Sequence, residues 1–210
     1  MTALLTATVA AAARGRVLPA RVRAAVDATG FDGRVVSRYF TSRAGRRIAQ
    51  RKWPKLTAAV DTATHLILAA AVTRGPTQDA RHLVPAVRAA ARRVRVDTVL
   101  ADAGYDSEAN HAVPRTRLGV RSTVIALNRR GTRKRPKAEY RRQMVRRFRK
   151  RPRGTRSKRV YGQRWQAESG FSRLKRVLGS TVRAVTWANQ RKELLLRCIT
   201  YNLMLLAGQT

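Results

Sequence analysis

The chain has 210 residues, enough for one domain with a real core, and its 46 Lys+Arg against 11 Asp+Glu give a formal net charge of +35. An apolar content of 44% excludes a disordered polycation, and the single cysteine, Cys198, excludes an intrachain disulfide and suits a reducing cytoplasm. The charge, mostly arginine, calls for a polyanionic partner: a compact fold carrying it alone would repel itself, and arginine grips phosphate with two donors at once.

The opening MTALLTATVAAAARGR has an apolar run without a positive segment ahead of it, so it reads as a helix over 3–14 rather than a signal peptide. RVRAAVDATGF (21–31) reads as a strand running into a turn at Gly30. KLTAAVDTATHLILAAAV (55–72) reads as a hairpin turning at 61–64, ended by Gly75-Pro76. A helix is predicted over 79–93, where Leu83, Val84, Val87, Ala90 and Ala91 recur at helical spacing. VDTVLADAGYD (96–106) is an apolar strand ending in Asp102, and Ser107 or Asp106 can cap the helix that follows. STVIAL (122–127) is a further strand. Residues 129–159 carry many arginines and almost nothing apolar, and read as an exposed basic connection that DNA can order. Helices are predicted over 160–178 and 189–207; Arg191, Lys192, Glu193 and Arg197 exclude the latter as a membrane span. Three strands before the first main helix, then alternation, predict an α/β fold with a mixed sheet and helices on both faces.

With so few acids, each position can be weighed. Asp102 ends a buried-type strand, where α/β proteins build sites, and Asp27 holds a similar place on the first strand. Asp61 suits a hairpin turn, and Asp79, Asp106 and Glu108 suit helix N-termini. Asp32, Asp97, Glu139 and Glu193 show no convergent partner. Between Glu139 and Glu193 the only carboxylate is Glu168, in YGQRWQAESGFSRLK (161–175). With Tyr161 at zero and about 100° per helical residue, Arg164, Glu168 and Lys175 fall at roughly −60°, −20° and −40°, one narrow stripe. Phe171, Leu174 and Leu178 form a core-facing strip beside it; a solvated polar face would show the same spacing.

Tyr161-x2-Arg164-x3-Glu168-x6-Lys175 resembles the tyrosine–arginine–glutamate–lysine motif of DDE transposases encoded by bacterial and archaeal insertion sequences. VDATGF and VLADAGYDSEANH resemble the family's two aspartate blocks, WPKLTAAVDTATHLILAA its hairpin, and RAVTWANQRKELLLRCITYNLMLL its ending, so the likeness spans about 20–207. It implies a ribonuclease H-like catalytic domain over 21–210, following a short helical remnant at 1–20. It also implies a catalytic, metal-binding triad of Asp27, Asp102 and Glu168. Asp61 is an alternative first aspartate, but the first acid belongs on the first strand and Asp61 lies in the turn after the second. Two Mg²⁺ or Mn²⁺ ions, hard cations suited to oxygen ligands, are implied as cofactors. The implied activity is endonucleolytic nicking at insertion-sequence ends and strand transfer into target DNA, by a homodimer on DNA in the cytoplasm at the nucleoid. Arg164 and Lys175 would clamp phosphates, and Tyr161 would bond a phosphate or stack on a base. Trp165 and Trp187 can stack on bases, although burial is the commoner fate of Trp. His65, His82 and His111 show no metal-ligand spacing.

The family's separate amino-terminal module, which reads the terminal repeats, would not fit in the twenty residues before the first strand. A truncated copy, a split reading frame or a minimal catalytic fragment is therefore expected. The competing readings are an inactive remnant that only binds DNA and another ribonuclease H-like nuclease.

Overall fold

A computed structural model describes residues 1–33, 53–128, 136–149 and 160–208. Its elements in chain order are α1 (Thr2–Arg14), β1 (Val22–Gly30), β2 (Pro54–Asp61), β3 (Ile67–Arg74), a 3₁₀ turn (Asp79–His82) leading into α2 (Leu83–Ala91), and β4 (Val96–Ala101). A second 3₁₀ turn (Ala103–Tyr105), α3 (Glu108–Arg117), β5 (Ser122–Ile125), α4 (Glu139–Arg149), α5 (Trp165–Leu178) and α6 (Trp187–Ala207) follow.

The strands form one sheet in the order β3-β2-β1-β4-β5. β1 pairs antiparallel with β2 and β2 with β3, while β1–β4 and β4–β5 are parallel. Three antiparallel strands extended by two parallel ones give the mixed α/β sheet of the ribonuclease H-like fold. Successive residues of a strand point to opposite faces, yet Leu56 through Asp61 in β2 and Thr98 through Ala101 in β4 are all buried. Both faces of the sheet are therefore covered. Leu5, Val9 and Ala12 carry α1 into this core, and Phe171, Leu174, Leu194 and Cys198 carry α5 and α6 into it.

The outer strand β3 has its edge sealed by side chains. Asn202 of α6 accepts from the Ile67 amide (2.8 Å) and donates to the Ile67 carbonyl (2.9 Å) and to Thr8 Oγ1 of α1 (3.1 Å). Arg93 adds a bond to the Leu68 carbonyl (2.8 Å). These contacts occupy backbone groups through which a bare edge would recruit another chain.

One element differs from the sequence expectation. Within the basic connection, residues 139–149 form α4, because Tyr140, Met144 and Phe148 recur at i, i+4, i+8 and turn one apolar edge inward; Met144 is buried. The rest of that connection, 129–135 and 150–159, lies outside the described residues. The helix expected over 160–178 is interrupted by a turn at 163–164.

Candidate active site

Asp27 lies near the carboxyl end of β1, the central strand. β4 runs parallel beside it with Ala24 opposite Val99 and Ala25 opposite Leu100, so the register carried two residues further sets Asp102 level with Asp27. Asp102 leaves the strand and caps the following 3₁₀ turn, its Oδ1 accepting from the Gly104 amide at 2.8 Å. A Cβ on residue 104 would stand 3.0 Å from that oxygen, so glycine lets the turn close on the carboxylate. Glu168 arrives in the first turn of α5, which packs against β1 and β2.

Asp27 and Glu168 line one open cavity of about 340 Å³ with Ala28, Thr29, Phe171, Ser172 and Lys175. Asp102 is not among its lining residues, but its charge reaches Asp27. Burial pushes the Asp27 carboxyl up from its usual 3.8 to about 6; the Asp102 and Glu168 charges push the same way, against the Ala28 amide that bonds Oδ1 at 2.8 Å. Each acid has its own partner: Asp27 the Ala28 amide, Asp102 the Gly104 amide, and Glu168 the Arg164 guanidinium one helical turn earlier. Accordingly, among the described residues no three acidic, imidazole or thiol side chains stand close enough to hold one metal ion. The donor set nonetheless suits a hard divalent cation: it is all oxygen, and the negative charge on Asp27 is opposed by burial and by two neighbouring acids.

The raised Asp27 value has a consequence for stability. An acid whose folded value lies above its unfolded one holds its proton longer in the folded state, so ionising it opposes folding. The favourable contribution is full below about pH 4 and is lost as pH rises towards 6, the interval between 3.8 and about 6. In metal-free buffer, the thermal midpoint of Asp27→Asn, measured relative to the parent, is expected to gain across that interval as the parent ionises. A difference that does not change with pH would rule this out.

The remaining members of the stripe are dispersed by different packing. Lys175 also lines the cavity; its Nζ donates to the Gly30 carbonyl at 2.7 Å and lies 4.9 Å from the centre of the Phe31 ring, and burial lowers its pKa. Tyr161 is half-buried edge-on against Phe148, with ring centres 5.1 Å apart. Arg164 stands in right-handed helical geometry at the start of α5, which keeps it facing Glu168 despite the turn.

The other acids have local or bridging work. Asp61 is fully buried and its Oδ2 accepts from the Thr64 amide (3.0 Å) and hydroxyl (2.8 Å), the turn role expected of it. Ser107, rather than Asp106, caps α3. Glu193 does have convergent partners: it accepts from the Arg183 and Ala184 amides and pairs with Arg197. Asp97 pairs with Arg121 and Asp79 with Lys55. Trp165 is 54% exposed, contrary to the usual fate of Trp, whereas Trp187 lies under the Arg74 guanidinium at 4.8 Å.

The mixed sheet thus carries one acid on β1, one just past β4 and one at the start of α5, each from a separate part of the chain. A sequence model of the transposase DDE domain matches residues 19–203, and the chain belongs to that family. Neither the curated proteins nor the solved structures yield a match. Membership makes DNA the substrate and transposition the general function. Among the described residues, no helix is long and apolar enough to cross a membrane.

Proposed function

We propose that the chain nicks DNA at the ends of an insertion sequence and joins the freed 3′-hydroxyl to target DNA, with Asp27, Asp102 and Glu168 as its catalytic carboxylates. The observation that carries this reading is that Asp27 and Glu168 line one cavity while the strand register sets Asp102 level with Asp27, three acids from three separate parts of the chain. The family is divalent-metal-dependent, and these carboxylates would hold two Mg²⁺ or Mn²⁺ ions, which supply activation of the attacking oxygen and charge neutralisation at the leaving one. The chain's own side chains do the positioning. Glu168 is released from Arg164 when phosphate takes the guanidinium, since a bidentate arginine–phosphate contact competes directly with the ion pair. Lys175 sets a cation on the cavity wall for a flanking phosphate. Tyr161 offers its hydroxyl from beside Arg164. The working assembly is a homodimer on DNA, in the cytoplasm at the nucleoid.

Trp165, exposed three residues before Glu168, presents a free indole face to a base unstacked at the cut. Trp165→Ala is expected to weaken binding of a single-stranded oligonucleotide by about 1–3 kcal/mol per lost stack, read by fluorescence titration. The test of the activity uses the full chain, Mg²⁺ or Mn²⁺, and duplexes made from the DNA flanking its coding region, one of them precut to a 3′-hydroxyl. Joined products from the precut end support transposition. Hydrolysis without joining would make the protein a nuclease, and neither product would make it a DNA-binding remnant.

A further inference from the structure

The segment after Asp102 does more than end a strand. The side chain of Asp106 is fully buried and grips Arg141 of α4 with both oxygens: Nε donates to Oδ1 at 3.0 Å and Nη2 to Oδ2 at 2.8 Å. It also accepts from the Asn128 amide at 2.9 Å. Two residues on, Glu108 accepts from the Tyr140 amide (2.9 Å) and the Arg141 amide (3.1 Å), satisfying first-turn donors that a helix leaves unpaired. The flank of α4 is held too. Arg115 of α3 lies 4.4 Å from the centre of the Tyr140 ring and bonds Gln143 at 2.9 Å. At the far end Phe148 meets Tyr161 edge-on. Thus α4 is pinned at its start to the loop bearing Asp102 and at its end to the segment bearing Tyr161 and Arg164.

Two arginines of α4, Arg142 and Arg146, stand one turn apart on its exposed side. Arg142 pairs with Glu139, both side chains more than half exposed, and such a pair holds little energy and yields readily to phosphate. We propose that α4 is a DNA-backbone-binding strut of the candidate site, that Arg142 and Arg146 contact phosphates, and that Asp106 and Glu108 are positioning residues that hold the strut in register with Asp102. The inference rests on DNA being the substrate and adds the surface and the device that aims it. A buried acid gripping an arginine across 35 positions of chain fixes orientation as well as proximity, because the guanidinium fork accepts a carboxylate in one plane.

The device makes a prediction opposite in sign to simple electrostatics. Asp106→Asn and Glu108→Gln each remove a negative charge from a strongly basic protein, and on charge alone each would tighten DNA binding. If the acids aim α4, both variants instead bind a short duplex more weakly. Arg142→Ala/Arg146→Ala would reduce the slope of log affinity against log salt by about two, near 0.9 per phosphate contact. Adding Asp106→Asn to that pair would then cost little more, since the contacts it aims are already gone. The measurements use the full chain, metal-free buffer and a salt series, with circular dichroism confirming the fold of each variant. Tighter binding by Asp106→Asn, or an unchanged slope for the arginine pair, would overturn the inference. The arginine pair sits on an exposed face, so its slope decides the matter even where an Asp106 variant fails to fold. A parent protein that shows no salt-dependent duplex binding would instead sink the DNA-acting reading beneath it.

Discussion

Glu168→Gln is expected to abolish nicking and strand transfer while leaving duplex binding at least as tight as in the parent. The substitution keeps the shape of the side chain and removes the charge by which it would hold a cation. Loss of a metal-binding carboxylate withdraws several kcal/mol of transition-state stabilisation, on the order of a thousandfold or more in rate. Binding behaves differently because it draws on the whole basic surface and because Arg164, freed from its ion pair, gains a phosphate to hold. Asp27→Asn should show the same separation, with cleavage lost and affinity kept. Asp61→Asn is the informative comparison. Its carboxylate closes the β2–β3 turn through Thr64, so this change should lower stability and leave the chemistry of the surviving folded protein intact. Cleavage surviving in Asp27→Asn but lost in folded Asp61→Asn would reassign the first aspartate.

Asn202→Leu is expected to destabilise the fold by about 2–6 kcal/mol, through two buried backbone groups of Ile67 that lose their partners at roughly 1–3 kcal/mol each. For a chain of this size, at about 2–4 °C per kcal/mol, that corresponds to a fall in Tm of about 4–24 °C, readable by calorimetry. The replacement is apolar and keeps the branched skeleton of the side chain, so no cavity opens and the polar loss dominates. An unchanged Tm would mean that the Ile67 groups find other partners. The effect also reaches the site, since Tyr201 beside Asn202 lies against the buried face of α5 at Gly170. A loosened α6 therefore lets Glu168 drift.

Much of the frame was legible because its signals are local. The runs Ala24–Val26 and Val99–Ala101 are apolar without alternation, as strands covered on both faces must be, and Asp61 sits where a short acid can close a turn. The stripe of Arg164 and Glu168 was readable from helical spacing alone. Helix α4 was hidden by composition: Arg141, Arg142, Arg146 and Arg147 mask a three-residue apolar edge of Tyr140, Met144 and Phe148. Asp106 and Glu108 were hidden for another reason. Beside Ser107 they look like capping residues, and their partners in α4 lie more than thirty positions away, a distance over which sequence spacing carries no contact information. Glu193 was misread for a different reason: its amide partners lie in the irregular segment before α6, where no periodic spacing points to them.

The three acids join the fold at different moments of synthesis. Asp27 sits on β1 and Asp102 just past the end of the parallel neighbour β4, whereas Glu168 rides on a helix that must dock across the finished sheet. A ribosome-bound chain that has exposed only its first half holds two of the three carboxylates and, on the proposed chemistry, no competent centre. The order of translation thus places the proposed cutting activity after the emergence of α5, the element that brings Glu168.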